Sequence, residues 1–181
     1  MDLYVENRAV TVPTLQTARL TLRALQRSDL DDVVRLINDY EVAKWLTMVP
    51  YPYCHADAED FLHMVQAGEL GTLWVIVRDD ALLGVVSIDT EIGYWLGAAV
   101  WGQGYMSEAC QAAIGHHFAT TTKDAIAAGY LLGNDGSRRV LEKLGFVDTG
   151  THIRFSRSRQ EKAAGRSMLL SRSKWQQIAD A

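Results

Sequence analysis

Between Glu91 and Ala113 the chain changes its repeat once, from two residues to 3.6, and it does so across a pair of glycines. Ile92, Tyr94 and Leu96 alternate with Gly93 and Trp95, the pattern of a strand with two different faces. After Gly97 come Trp101-Gly102-Gln103-Gly104, and from Tyr105 the spacing is helical. Met106, Cys110, Ala113, Ile114 and Phe118 share one side of that helix; Ser107, Glu108, Gln111 and Gly115 share the other. A strand that passes through a glycine turn into a helix makes an anion site. The first turn of a helix has backbone N–H groups without internal partners, and its dipole favours negative charge there. Glycines at 102 and 104 let a phosphate approach the backbone without meeting a Cβ. Spacing alone leaves a second reading open, in which the glycines only form a tight turn.

A chain of 181 residues that is 48% hydrophobic can bury one sizeable core, so one domain is expected, over 17–178, with residues 1–16 as an N-terminal arm. A net charge of −4, with no basic run before the modest arginine cluster at 154–166, argues against a nucleic-acid binder. Cys54 and Cys110 make no disulfide framework and read as reduced thiols. The first residues show no basic stretch followed by an apolar one, and no apolar run approaches the roughly 18 residues that cross a bilayer. The expectation is a cytoplasmic protein with no membrane association.

Arg19–Arg23 alternates as a strand. Ser28-Asp29 reads as the cap of a helix with Leu30, Val33, Val34 and Ile37 inward, followed by short helices near 41–46 and 56–66. The prolines of Pro50-Tyr51-Pro52-Tyr53 force extended backbone between the last two. Strands over 73–77 and 82–88 join at Asp79-Asp80 in a tight hairpin and lead to the Glu91 strand. Ala125–Leu132 reads as a buried strand. Asn134 or Asp135 then caps a helix with Val140, Leu141 and Leu144 inward, closed by Gly145-Phe146. A final hairpin over 149–156 and 167–171 precedes a short helix packed by Trp175. Helices, a meander, then strand–helix–strand–helix describe an α+β protein with a mixed sheet. The Glu91 and Ala125 strands should be parallel neighbours across a right-handed crossover.

Taken together, Gly84-Val85-Val86-Ser87-Ile88, Glu91–Leu96, Trp101–Ala109 and the run Asn134–Phe146 resemble the GNAT N-acetyltransferase superfamily, in its ribosomal-protein-alanine acetyltransferase-like branch. The resemblance extends from about Arg19 to Trp175. It implies a single-domain GNAT-like fold: a mostly antiparallel sheet with flanking helices and a central parallel strand pair splayed apart. It also implies acetyl-CoA as cosubstrate, a primary amine as acceptor (a protein N-terminus or a small molecule), and no metal. The family's pyrophosphate loop falls on Trp101, Gly102, Gln103, Gly104, Tyr105 and Met106. Trp101 departs from the polar first residue and Met106 from the small last one, and both are tolerable where backbone N–H groups hold the anion. Ser107 adds a possible hydroxyl donor. The backbones of Trp95 and Leu96 should pair with pantetheine as a neighbouring strand would.

Acetyl transfer requires a neutral amine, so a proton must first be removed. By the resemblance Glu91 is the first candidate for that base, with an ordinary surface glutamate as the other reading. Asn134 is a helix cap, a ligand to the CoA arm, or both. Ser137 is the candidate to protonate the departing thiolate, because Leu141 stands where many relatives carry a tyrosine. Arg138 and Arg139 either contact the CoA phosphates or face solvent. His55, His63, His116, His117 and His152 form no constellation, and neither cysteine has a dyad partner, so direct transfer is expected. A dinucleotide enzyme fits poorly: Gly102-x-Gly104-x-x-Ser107 follows a loop, and Asp124 precedes the next strand. A non-catalytic CoA-binding sensor of the same fold stays open, as does a homodimer.

Overall fold

The structure is a computed structural model that describes residues 12–179. Among these the order is β1 (Leu15–Gln16), β2 (Thr21–Arg23), α1 (Leu30–Ile37), α2 (Tyr40–Ala43), α3 (His55–Gln66), β3 (Thr72–Arg78), β4 (Ala81–Ile88) and β5 (Ile92–Leu96). It continues with α4 (Tyr105–Thr120), β6 (Ala125–Leu131), α5 (Asp135–Lys143), β7 (Val147–Ser156), β8 (Glu161–Ser171) and α6 (Arg172–Ala179). The expected arm at 1–16 lies mostly outside the described residues, but Leu15 and Gln16 belong to the sheet, paired with Leu22 and Thr21.

Strands β1 to β5 form one antiparallel sheet in sequence order, and β6, β8 and β7 form a second. Asp79 and Asp80, both at positive φ, turn β3 into β4 as a two-residue hairpin requires. β3 and β4 are apolar on both faces because both faces are covered. Trp74, Ile76, Val86 and Ile88 join α4 in one core; Leu73, Val75, Val77 and Val85 join α1 and α3 in the other. α4 is therefore more deeply buried than a simple two-sided pattern suggests. Tyr105 and Ala109 are buried along with the expected Met106, Cys110, Ala113, Ile114 and Phe118.

The expected parallel pair is reduced to a single bridge. Ala127 N–H donates to the Thr90 carbonyl at 2.8 Å, and Glu91 stands opposite Ala127. Beyond that point β5 and β6 part, which leaves a fork between the two sheets. α5 ends as expected: Gly145 N–H bonds to the Glu142 carbonyl and Phe146 N–H to that of Leu141, both at 3.0 Å. The last hairpin is longer than its weak pattern indicates, because the small residues of 163–165 carry little period. Residues 161–165, expected to be loop, are strand β8.

Asp29 does not cap α1 from outside. It is buried, accepts the Gln26 N–H at 2.8 Å, and meets both terminal nitrogens of Arg23 at 2.8 Å. Burial pushes its pKa up, but the Arg23 and Gln26 hydrogen bonds outweigh that and hold the carboxyl below its usual range. A lowered carboxyl contributes stability above its unfolded value, and that contribution disappears as pH falls through the folded one. Asp29→Ala should cost about 2–3 kcal/mol in urea unfolding at pH 7, since it also strands the Arg23 guanidinium. The gap between variant and wild type should narrow below about pH 4, where the wild-type carboxyl loses its charge.

Candidate active site

The open end of the fork leads to the glycine turn. Gly102 and Gly104 have φ of 75° and 81°, a region that costs a residue with a Cβ about 1–2 kcal/mol. Gly104 is the N-cap of α4, and it offers no side chain to cap it. The first backbone bond of the helix is Glu108 N–H to the Gly104 carbonyl at 3.2 Å, so the N–H groups of Tyr105, Met106 and Ser107 precede the helical ladder. A Cβ on Gly102 would have no atom within 4 Å. Uncapped donors beside open space suit a phosphate, and a CoA pyrophosphate fits these residues.

The side chains of Tyr105 and Met106 are not available to such a ligand. Both are buried, and they serve the core while their backbones serve the turn. Two guanidinium groups, Arg19 and Arg78, lie 4.6 and 5.2 Å from the Tyr105 ring centre. Arg19 also donates through Nη1 to the Gln103 carbonyl at 3.0 Å and through Nε to Glu108 at 2.7 Å. Glu108 further accepts from Thr17 Oγ1 and Arg19 N–H. The turn is thus tied to the segment before β2, a long-range link that the local sequence pattern did not disclose.

Trp101 has a definite role. Its indole N–H donates to the Leu96 carbonyl at 2.9 Å, spanning the loop between strand and helix. That bond engages one of the backbone groups expected to meet pantetheine. The Trp95 side chain packs toward α1 and α3. Arg138, a candidate for the CoA phosphates or for the outer helix face, is ion-paired on that face, 3.2 Å from Asp135 and 3.1 Å from Glu142.

Asn134 caps α5 by accepting the Ser137 N–H at 3.1 Å. Ser137 Oγ then lies 2.9 Å from the Tyr94 hydroxyl. The strand pattern alone gave Tyr94 no part in the site. Its position on β5 brings a phenol to Ser137 at the start of α5, whereas the helix itself carries Leu141, not a tyrosine, farther along. Burial first, and Cys110 nearby, push the Tyr94 phenol well above its usual range, and the Ser137 bond offsets only part. Tyr94 therefore stays protonated and able to donate.

Glu91 stands at the point of the fork. Arg154 Nη2 reaches its two oxygens at 3.1 and 3.2 Å, and its side chain is 42% exposed. Trp45 lies under Lys44 and Arg159, with its ring edge near Gly133 just after β6. Tyr53 is buried between α1 and α3, and Tyr51 is exposed against Tyr40. No helix is long and apolar enough to cross a membrane among the described residues.

The acetyltransferase (GNAT) domain family matches residues 19–147. An N-acetyltransferase of Bacillus licheniformis, p20, whose role is uncharacterized, is 31% identical over 84% of this chain and 90% of its own. The ribosomal-protein-S5-alanine acetyltransferase of Vibrio fischeri shares the fold with a TM-score of 0.76 at 19% identity, over 90% of this chain and 98% of that one. The spermidine N-acetyltransferase of Vibrio cholerae, solved with CoA and spermine, aligns with a TM-score of 0.74 at 21% identity, over 88% and 99%.

Gly102→Ala is a clean probe of the turn, because the added methyl meets no protein atom. Stability should fall by only about 1 kcal/mol, from backbone strain. CoA affinity measured by calorimetry should fall at least about tenfold, equivalent to 1.4 kcal/mol. Unchanged affinity would reduce the glycines to a structural turn.

Proposed function

Because this chain belongs to the GNAT acetyltransferase family, we propose that it moves the acetyl group of acetyl-CoA to a primary amine by direct attack within a ternary complex. The observation that carries this reading is the uncapped start of α4 behind two left-handed glycines, placed at the open end of a strand fork. Acetyl-CoA supplies the activated thioester. Backbone N–H groups of Tyr105, Met106 and Ser107 hold its pyrophosphate, with the free edge of β5 available to the pantetheine amides.

The remaining work falls to side chains near the fork. Ser137 donates a proton to the leaving sulfur, and Tyr94, hydrogen-bonded to it across 2.9 Å, positions that hydroxyl. Glu91 provides the negative charge that draws an ammonium group to the fork, with Arg154 holding the carboxylate in place. The acceptor is a protein N-terminus or a small-molecule amine, met in the cytoplasm where acetyl-CoA is available. Related folds serve both kinds of amine: one neighbour is titled a ribosomal-protein alanine acetyltransferase and another a spermidine acetyltransferase.

Thiol release from acetyl-CoA, measured against a panel of peptide N-termini, polyamines and aminoalkyl compounds, tests the proposal. Turnover with one class supports it; CoA binding without turnover on any amine would leave a CoA-binding sensor. Ser137→Ala should lower kcat about 10²-fold with CoA affinity unchanged, and a loss below about threefold would return the thiolate's proton to solvent. Glu91→Gln should act differently. It should raise KM for cationic amines several-fold and change kcat little, as expected for a group that attracts substrate.

A further inference from the structure

His152 looks isolated in the sequence, yet the fold brings it to the point of the fork. It stands opposite Gly165 of β8, while Gly129 of β6 stands opposite the neighbouring Ser167. The imidazole lies over these two glycines. A Cβ on Gly165 would be 2.4 Å from Nε2, and one on Gly129 would be 3.1 Å from Cε1. The edge of the ring that carries Nε2 and Cε1 is therefore turned toward β6. That same position on Gly129 is 3.7 Å from Glu91 Oε1, so imidazole and carboxylate converge on one spot where the sheets touch. Nδ1 lies 3.2 Å from Ser167 Oγ, which leaves Nε2 as the ring nitrogen without a hydrogen-bond partner among the described residues.

We propose that His152 is the catalytic base of the transfer, its Nε2 taking the proton of the ammonium group that Glu91 draws to the fork. The inference rests on the amine-acetyltransferase reading of the site. Glu91 is poorly suited to the step, since taking a proton would cost it the Arg154 ion pair. The charged groups that face His152 are Glu91, from the start of β5, and Arg154, on its own strand. β6 and β8 present only Gly129, Gly165 and Ser167. Burial, and then the Arg154 charge, lower the imidazole below its ordinary value, while Glu91 opposes them. It is therefore neutral at physiological pH and ready to accept.

The protons balance. One N–H proton passes to Nε2, and the freed lone pair attacks the thioester carbon, forming C–N as C–S breaks. The second N–H proton leaves to solvent as the amide forms, solvent restores the proton that Ser137 gives the thiolate, and His152 returns its own to solvent between turnovers.

Three measurements test this on the full chain. His152→Gln should lower kcat/KM at pH 7 by at least about tenfold while CoA affinity by calorimetry stays within about twofold. The acidic limb of the wild-type kcat/KM profile should be missing from the variant. In the wild-type protein the His152 Cε1–H resonance, assigned by its loss in the variant, should titrate below pH 6.5 with the midpoint of that limb. Added imidazole should restore part of the rate to His152→Ala. A folded, CoA-binding His152→Gln enzyme that keeps the wild-type rate and limb would overturn the proposal, as would a resonance that titrates away from the limb. Wild-type protein that acetylates no amine would sink the function itself, a failure seen without any variant.

Discussion

Among the described residues one backbone hydrogen bond, from Ala127 N–H to the Thr90 carbonyl, joins the ladders of the two sheets at the point where their strands part. A sheet that stops pairing leaves the facing edges of two strands with backbone donors and acceptors to satisfy, and proteins do not leave such groups buried without partners. The fork therefore has to be wet or filled. Its depth is set by how early the ladder ends, and here it ends at the first residue of the strand pair. The site follows from that geometry. The glycine turn lies at the mouth, the Tyr94–Ser137 pair along one side, and Glu91 with His152 at the point.

What holds the fork open is packing on either side of it. α4 fills one face so completely that Tyr105, Met106, Ala109, Cys110, Ala113 and Ile114 are all buried, which makes the helix a rigid base for the turn at its start. The other face is held by α1 and α3 against β3 and β4. Deleting methyl groups from such a core costs roughly 1 kcal/mol or more each. The site thus rests on two cores, and strain in either one would alter the width of the fork.

The parts of this arrangement that were legible in the sequence are those written in local pattern. The change of period at the glycine turn, the Asp79-Asp80 hairpin, the Asn134 cap and the Gly145-Phe146 ending of α5 are each set by a few adjacent residues, and each is where the pattern put it. What the pattern hid is made by residues far apart. Tyr94 meets Ser137 across 43 positions and Arg19 meets Glu108 across 89. His152 gains its surroundings only because two glycines on separate strands leave room for its ring. Arg138 is the opposite case: of its two readings, the outer helix face is the one occupied, because partners one helical turn away on either side satisfy it locally. Trp101 took the family's polar position and was read as a departure, whereas its indole makes the bond that closes the loop.

The Arg19 guanidinium touches the Gln103 carbonyl and the Glu108 carboxylate at once, while its backbone leads directly into β2. β1 and β2 are only two and three residues long and lie at the margin of their sheet, the part of a fold that opens at the lowest free energy. A ligand that fixes the turn must also hold this margin closed, because one side chain serves both. Fraying of residues 15–23 and ligand dissociation are then linked equilibria, each shifting the other by the same free energy. Amide exchange in that outer strand becomes a gauge of occupancy at a turn more than 80 residues further along the chain.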